Sequence, residues 1–254
     1  MMLHALIWDV DGTLAETERD GHRVAFNESM REHGVARRWD VVRYGELLSV
    51  SGGLERILAD ITSPAAKDPW PGLDEAGQLT LASSIHARKS EIYRGLLDKG
   101  TVAIRPGVMR LMQECQQAGI AQGIASTSKR SNVDALLGRM FDSNWTSMFE
   151  TVISGDETAR KKPEPDVYLE ALTRMQCSSQ DVIVIEDSPN GLQAARAAGL
   201  CTIITPSSYF LQAEFDEAAM ICADLDQAPS RSQPGHSPVT LATLKALHGR
   251  WHHA

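Results

Sequence analysis

The stretch "IWDVDGTLAETE", residues 7–18, decides how the rest of the chain is read. An apolar run beginning at Ala5 ends in the carboxylate of Asp9, Asp11 follows two residues later, and Gly12-Thr13 turns the chain. The run is apolar on successive residues, the pattern of a strand covered on both faces. Four more runs read alike: "GIAQGIAST" (119–127), "ETVISGD" (150–156), "DVIVIEDS" (181–188) and "CTIIT" (201–205). Helical patterns lie between them. Over 107–119, Val108, Leu111, Met112 and Cys115 share one helix face and Gly119 stops it; Tyr168, Ala171, Leu172 and Met175 repeat that spacing over 164–175. Over 188–199, Ser188 is an N-cap, Pro189 suits the first turn and Gly199 ends the helix. This alternation predicts right-handed βαβ units and an α/β fold with a doubly wound, parallel, Rossmann-like sheet.

Residues 17–98 break the rhythm. They show helical stretches at 22–33, 40–48, 54–61 and 76–98, with a Pro-rich connection over 62–72. The expected organisation is a core of residues 1–16 and 99–254 with an inserted helical cap of 17–98. The stretch 227–240 is expected to be a surface loop before a short last helix.

A chain of 254 residues can bury a full core. Its net charge of -8 argues against nucleic acid or an anionic membrane surface as partner. No run approaches the roughly 20 apolar residues of a membrane span. The expectation is a cytoplasmic monomer acting on a small molecule. Cys115, Cys177, Cys201 and Cys222 form no CxxC pair and read as buried apolar groups in a reducing compartment. His236, His248, His252 and His253 lie in the tail, where no metal role is expected.

In open α/β sheets, ligands bind beyond the carboxyl ends of the strands. Asp9 and Asp11 end the first strand. Ser126-Thr127-Ser128-Lys129 ends the second, Lys161-Lys162-Pro163 follows the third, and Glu186-Asp187-Ser188 ends the fourth. Each feature alone is weak. Together they place an acid pair, hydroxyls, a lysine and a second acid pair along one edge.

This set resembles the four motifs of the haloacid dehalogenase superfamily of phosphotransferases, and the helical insertion resembles the cap of its β-phosphoglucomutase-like branch. The resemblance implies Mg²⁺ held by Asp9, the backbone carbonyl of Asp11, and Asp187, with Glu186 assisting the ion or its water shell. It implies Asp9 as nucleophile, Asp11 as general acid and base, Ser126 and the Thr127 amide on the phosphoryl oxygens, and Lys162 balancing charge. Ser128 is grouped with the substrate contacts, and Lys161 is expected to be solvated.

"ETERDGHRVAFN" (16–27), "YGELLSVSGGLERI" (44–57) and "IHARKSEIY" (85–93) further resemble the CbbY-like group, xylulose-1,5-bisphosphate phosphatases that serve carbon fixation by removing an inhibitor of Rubisco. The positions this implies for the sugar and the distal phosphate are Glu18, Tyr44, Ser51, Gly52, Gly53, Arg56, His86 and Lys89. Leu54 departs from the group, which often has lysine there, so a phosphate contact is expected either to be missing or to be supplied by Arg56. A sugar phosphomutase or a sugar-monophosphate phosphatase has the same motifs and stays open, as does a non-catalytic binding protein on this fold, which would be expected to have lost a motif.

Overall fold

The computed structural model describes residues 2–63, 70, 72–227 and 237–251. Six strands form one parallel sheet: β1 (Ala5–Trp8), β2 (Ala121–Ala125), β3 (Thr151–Ile153), β4 (Val182–Glu186), β5 (Cys201–Ile204) and β6 (Met220–Ile221), in the order β3-β2-β1-β4-β5-β6. The order reverses around β1, so β1, β2 and β4 deliver their carboxyl ends to a topological switch point, with β3 beside β2.

The unbroken apolar runs explain the two layers. Successive residues of a strand face opposite sides. Leu6, Trp8, Ile183 and Ile185 enter one core, with α5 (Val108–Gln117), α6 (Arg130–Phe141) and α9 (Leu241–Trp251) packed over it. Ala5, Ile7, Val182 and Val184 enter the other, under α7 (Asp166–Met175) and α8 (Pro189–Ala197). The Ser188 hydroxyl caps α8 by accepting from the Gly191 amide at 3.1 Å.

Between β1 and α5, among the described residues, stand a π-helical turn (Glu18–His22) and four helices, α1 (Arg23–Glu32), α2 (Val41–Leu47), α3 (Gly53–Ile61) and α4 (Glu75–Asp98). They close around their own apolar cluster, which includes Phe26, Trp39, Tyr44, Ile57 and Ile85. The chain crosses between sheet and insert twice, and the crossings run side by side: the Glu16 amide donates to the Ala103 carbonyl at 3.1 Å and the Arg105 amide to the Leu14 carbonyl at 2.9 Å. Most of the Pro-rich connection and of the 227–240 stretch, with His236, His252 and His253, lies outside the described residues. His248 is buried, with Nε2 2.7 Å from the Gln180 carbonyl.

Candidate active site

β1 ends one residue before Asp9, whose amide still donates to the Ile185 carbonyl of β4 at 3.0 Å. The backbone thus fixes the first carboxylate beside the second acid pair. Asp9 Oδ1 accepts from Lys162 Nζ at 2.7 Å, and the same ammonium donates to Glu186 Oε1 at 2.7 Å and to the Ala125 carbonyl at 3.0 Å. Lys162 spends its three protons on carboxyl ends of three strands or their extensions, and lies over the Tyr168 ring. Two neighbouring carboxylates lift its pKa, against burial, well above the ordinary lysine value.

Glu186 is fully buried and saturated. Its Oε1 also accepts from the Tyr168 hydroxyl at 2.7 Å, and its Oε2 from the Asp187 amide at 3.0 Å and the Ser188 hydroxyl at 3.3 Å. Asp9 Oδ2 is buried with no hydrogen-bond partner. Burial and the Glu186 charge, opposed by Lys162, push the Asp9 carboxyl up to about 7. Asp187 is pushed well above the usual carboxylate range by burial and by the Asp9 and Glu186 charges. Ligand atoms of Asp9, Glu186 and Asp187 lie within 4.8 Å of one another. Three crowded carboxylates, one with an orphaned oxygen, fit a cation with a preference for oxygen ligands. Since Glu186 is already engaged, Asp9 and Asp187 have the free capacity. Gly12 is needed here twice over: its φ is +91°, and a Cβ would lie 2.2 Å from Asp187 Oδ2.

Asp11 is held from two sides. Its Oδ1 accepts from the Thr17 hydroxyl at 2.6 Å and lies 2.9 Å from His22 Nε2, both from the insert's entry. Its Oδ2 accepts from the Ser128 hydroxyl of the core. Burial pushes the carboxyl up, but the His22 charge and the hydrogen bonds from His22, Ser128 and Thr17 outweigh it and hold Asp11 well below the usual range. Ser126, almost fully buried, orients this loop by accepting from the Ser128 amide at 3.0 Å.

A cavity of about 270 Å³ opens over Asp9, Asp11, Thr127, Ser128 and Asp187, with Glu18, Ser51, Gly52, Gly53, Arg56, His86 and Lys89 of the insert on its other walls. Four sequence candidates lie outside its lining: Ser126, Lys162 and Glu186 sit beneath it, and Tyr44 lies behind Arg56 and Glu18. The Tyr44 hydroxyl donates to Glu18 and accepts from Arg56 Nη1 at 2.8 Å. Arg56 also reaches the Leu47 carbonyl at 3.2 Å and lies 3.7 Å from Glu18. His86 is driven down to about 3 by burial and by Lys89, Lys129 and Lys161, so it faces the cavity as a neutral ring. Lys89 is driven down to about 8, chiefly by burial.

Other residues here escape sequence reasoning. Lys161, expected to be solvated, is a correction: it lines the cavity and donates to Glu55 Oε1 at 2.6 Å, because the insert brings an acid down onto the core. Lys129 lines the cavity, and among the described residues its ammonium makes no ion pair or hydrogen bond; its place in the STSK run was the available signal. Buried Arg105 donates to the carbonyls of Gly12, Thr205, Pro206 and Ala223, stapling the Gly12 turn to the segments after β5 and β6. No motif marks it.

A family model of the haloacid dehalogenase-like hydrolases matches residues 3–199. The chain belongs to that family. As a haloacid dehalogenase-like hydrolase it is 38% identical to the plasmid form of protein CbbY of Cupriavidus necator, over 99% of this chain and 97% of the relative. It is 41% identical to CbbY of Cereibacter sphaeroides, over 84% of this chain and 89% of that one. CbbY from Rhodobacter sphaeroides, solved in complex with phosphate, superposes with a TM-score of 0.80 at 38% identity, covering 88% of this chain and 95% of that one; a mutant of the same protein, in complex with xylulose-(1,5)bisphosphate, superposes equally. β-Phosphoglucomutase from Clostridium difficile, at 20% identity and TM-score 0.72, shares the fold. This haloacid dehalogenase-like hydrolase is a phosphatase enzyme.

Proposed function

We propose that the enzyme hydrolyses a sugar bisphosphate, xylulose 1,5-bisphosphate, at its 1-phosphate to give xylulose 5-phosphate, with residues 17–98 acting as a cap over a core of 1–16 and 99–254. The observation that carries this is one cavity with two chemistries: Asp9 and Asp187 at one wall, and Arg56, Lys89, Lys129 and Lys161 around the others. A bisphosphate needs two anion sites, and the relative solved with xylulose-(1,5)bisphosphate shares 38% of its sequence with this chain.

Asp9 attacks phosphorus, the bond to the sugar oxygen breaks, and an aspartyl-phosphate forms. Mg²⁺ held by Asp9, Asp187 and the Asp11 carbonyl would cancel charge on the phosphate and act as a Lewis acid. Lys162 opposes protonation of Asp9 and aims its carboxylate. Asp11 delivers its proton to the departing sugar oxygen, then takes one from the water that hydrolyses the aspartyl-phosphate. In the resting enzyme its partners favour the ionised form; an arriving phosphate dianion favours the protonated one, because like charge penalises a carboxylate. Ser128 and the Thr127 amide sit where transferring oxygens can be bound.

A Mg²⁺-dependent phosphate-release screen over sugar mono- and bisphosphates tests this. Preference for xylulose 1,5-bisphosphate supports it, and preference for any monophosphate over every bisphosphate sinks the substrate. Conversion of β-glucose 1-phosphate with a trace of bisphosphate into glucose 6-phosphate would make the enzyme a mutase.

A further inference from the structure

The fifth strand end differs from the others. β1, β2 and β4 and the loop after β3 deliver acids, hydroxyls and lysine to the cavity. β5 instead leads into Ser207-Ser208-Tyr209-Phe210. We propose that Tyr209 and Phe210 are positioning residues that dock the cap in its closed place over the aspartates, an inference that rests on reading residues 17–98 as a cap.

The loop is ordered by its own turns: the Phe210 amide donates to the Ser207 carbonyl at 2.9 Å and the Ala213 amide to the Phe210 carbonyl at 3.0 Å. Both rings leave the core and pack on the insert's apolar cluster. The Tyr209 and Tyr44 ring centroids are 5.7 Å apart. Phe210 also packs on Leu192, Ile204 and Phe215 of the core, so one side chain belongs to both bodies, and it forms part of the cavity wall. The fit is close on the cap side. A Cβ on Gly45 of α2 would lie 3.0 Å from Tyr209 Cδ1, so the absence of a side chain there lets the ring seat.

Polar contacts also join cap and core around the same cavity. Asn190 Nδ2 donates to the Ser49 carbonyl at 3.0 Å and to Ser51 Oγ at 3.3 Å, Asn132 Nδ2 donates to Ser90 Oγ at 3.5 Å, and Lys161 pairs with Glu55. The Lys161–Glu55 pair is partly exposed, at 23% and 44%, and pairs of that kind contribute little. Aromatic burial is the stronger tie. None of these contacts involves the crossings at Glu16 and Arg105. They therefore constrain the end of the cap away from the crossings, whereas near the crossings Ala25, Tyr93 and Leu97 of the insert pack into the core's own cluster.

Docking matters for the chemistry because Thr17 and His22 reach Asp11 from the insert's entry. A cap that fails to seat leaves Asp11 with Ser128 alone.

The test uses Tyr209→Ser, Phe210→Ser and Tyr209→Phe in the full chain, read by hydrogen–deuterium exchange of residues 41–61 and by kcat/KM for p-nitrophenyl phosphate. That substrate keeps the test independent of the sugar assignment. Both serine variants should raise exchange in 41–61 and lower kcat/KM, each by roughly tenfold, with exchange in β1 and β4 unchanged; Tyr209→Phe should stay within about twofold. Gly45→Leu, which crowds the ring from the cap side, should reproduce the serine phenotype, and it decides the matter alone if a serine variant does not fold. Unchanged exchange in 41–61 overturns the docking. Raised exchange with unchanged kcat/KM overturns the positioning role.

Discussion

His22 Nε2 lies 2.9 Å from Asp11 Oδ1, so a residue of the insert sets the protonation of a carboxylate of the core. The His22 charge and hydrogen bond are the leading influences holding Asp11 low against burial. Removing the ring should let the Asp11 pKa climb back towards the carboxylate range. The acid limb of the kcat–pH profile of His22→Ala, where Asp11 takes a proton from the hydrolytic water, should therefore move to higher pH, and kcat should fall by roughly tenfold or more, part of the 10²–10⁴ range of general acid–base catalysis. An acid limb that stays in place would mean that Asp11 is not the group being titrated.

Metal binding should strengthen with pH. The Asp9 carboxyl is pushed up to about 7, so near pH 6 a cation must displace a proton and near pH 8 it need not. The same shift sets a stability trend. A folded-state pKa above the unfolded value of about 3.9 gives stability that is present below pH ~4 and lost as pH rises through ~7. A bound cation should restore it. Mg²⁺ should thus raise Tm more at pH 8 than at pH 6, and Asp9→Asn should abolish both turnover and most of that difference. An equal Tm gain at both pH values would place the ion elsewhere.

Lys162→Met should cost about 3–5 kcal/mol of stability, because it leaves Asp9 and Glu186 buried without their shared cation. It should also end catalysis. Adding Glu186→Gln should recover part of the stability and none of the activity, since the lone-charge penalty falls while the Asp9 partner stays missing. Urea unfolding together with phosphate release separates the two effects. If the double variant is no more stable than the single one, the cost comes from lost packing around Tyr168.

Asp60, fully buried in the insert, should be the acid on which its fold depends. Its two oxygens accept from Arg37, Arg43, Trp39 and Trp70. Burial raises its pKa, but these donors hold it down at about 2. The stability this gives is present above pH ~4 and lost as pH falls through ~2. Asp60→Asn should cost about 3–5 kcal/mol at pH 7 and flatten the acid unfolding curve between those limits. A loss below about 1 kcal/mol would show that the arginines find water instead.

That network marks the boundary of what the sequence discloses. The strands were legible because two buried faces force unbroken apolar runs, and the candidate site because strand ends are fixed points where acids, hydroxyls and lysine stand out. Asp60 was not legible, since its donors come from residues 37, 39, 43 and 70, whose convergence only packing creates. Arg105 was hidden for the same reason: it serves four carbonyls, and carbonyls carry no sequence signature. The helix Arg130–Phe141 was passed over although Val133, Leu136, Leu137 and Phe141 form an apolar stripe on its buried face, beside Asn132. β6, two residues long, is a strand only through its pairing with β5.

Substrate selectivity should reside in Lys89 and be lost above pH 8. Lys89 is 4% exposed and sits over the rings of Phe26 and Tyr93, with Nζ 4.7 and 5.4 Å from their centroids. Burial drives its pKa down to about 8, with Glu18 and Asp11 pulling it up and Arg56 and Lys129 pushing it down. Above that pH it loses the charge that a distal phosphate would bind. KM for xylulose 1,5-bisphosphate should therefore rise above pH 8, while KM for p-nitrophenyl phosphate, which has no second phosphate, should not follow. Lys89→Ala should weaken kcat/KM for the bisphosphate by about 1–3 kcal/mol and barely change the aryl phosphate. Arg56→Ala should behave differently. Its guanidinium is tied to Tyr44 and the Leu47 carbonyl beside Glu18, so its loss should loosen the cavity wall and lower both activities. Leu54 lines the cavity next to the Gly52-Gly53 amides, and Leu54→Lys should keep or improve bisphosphate turnover by adding a cation there. Equal losses on both substrates for Lys89→Ala would make Lys89 a support for the cap and leave the distal phosphate to Lys129 and Lys161.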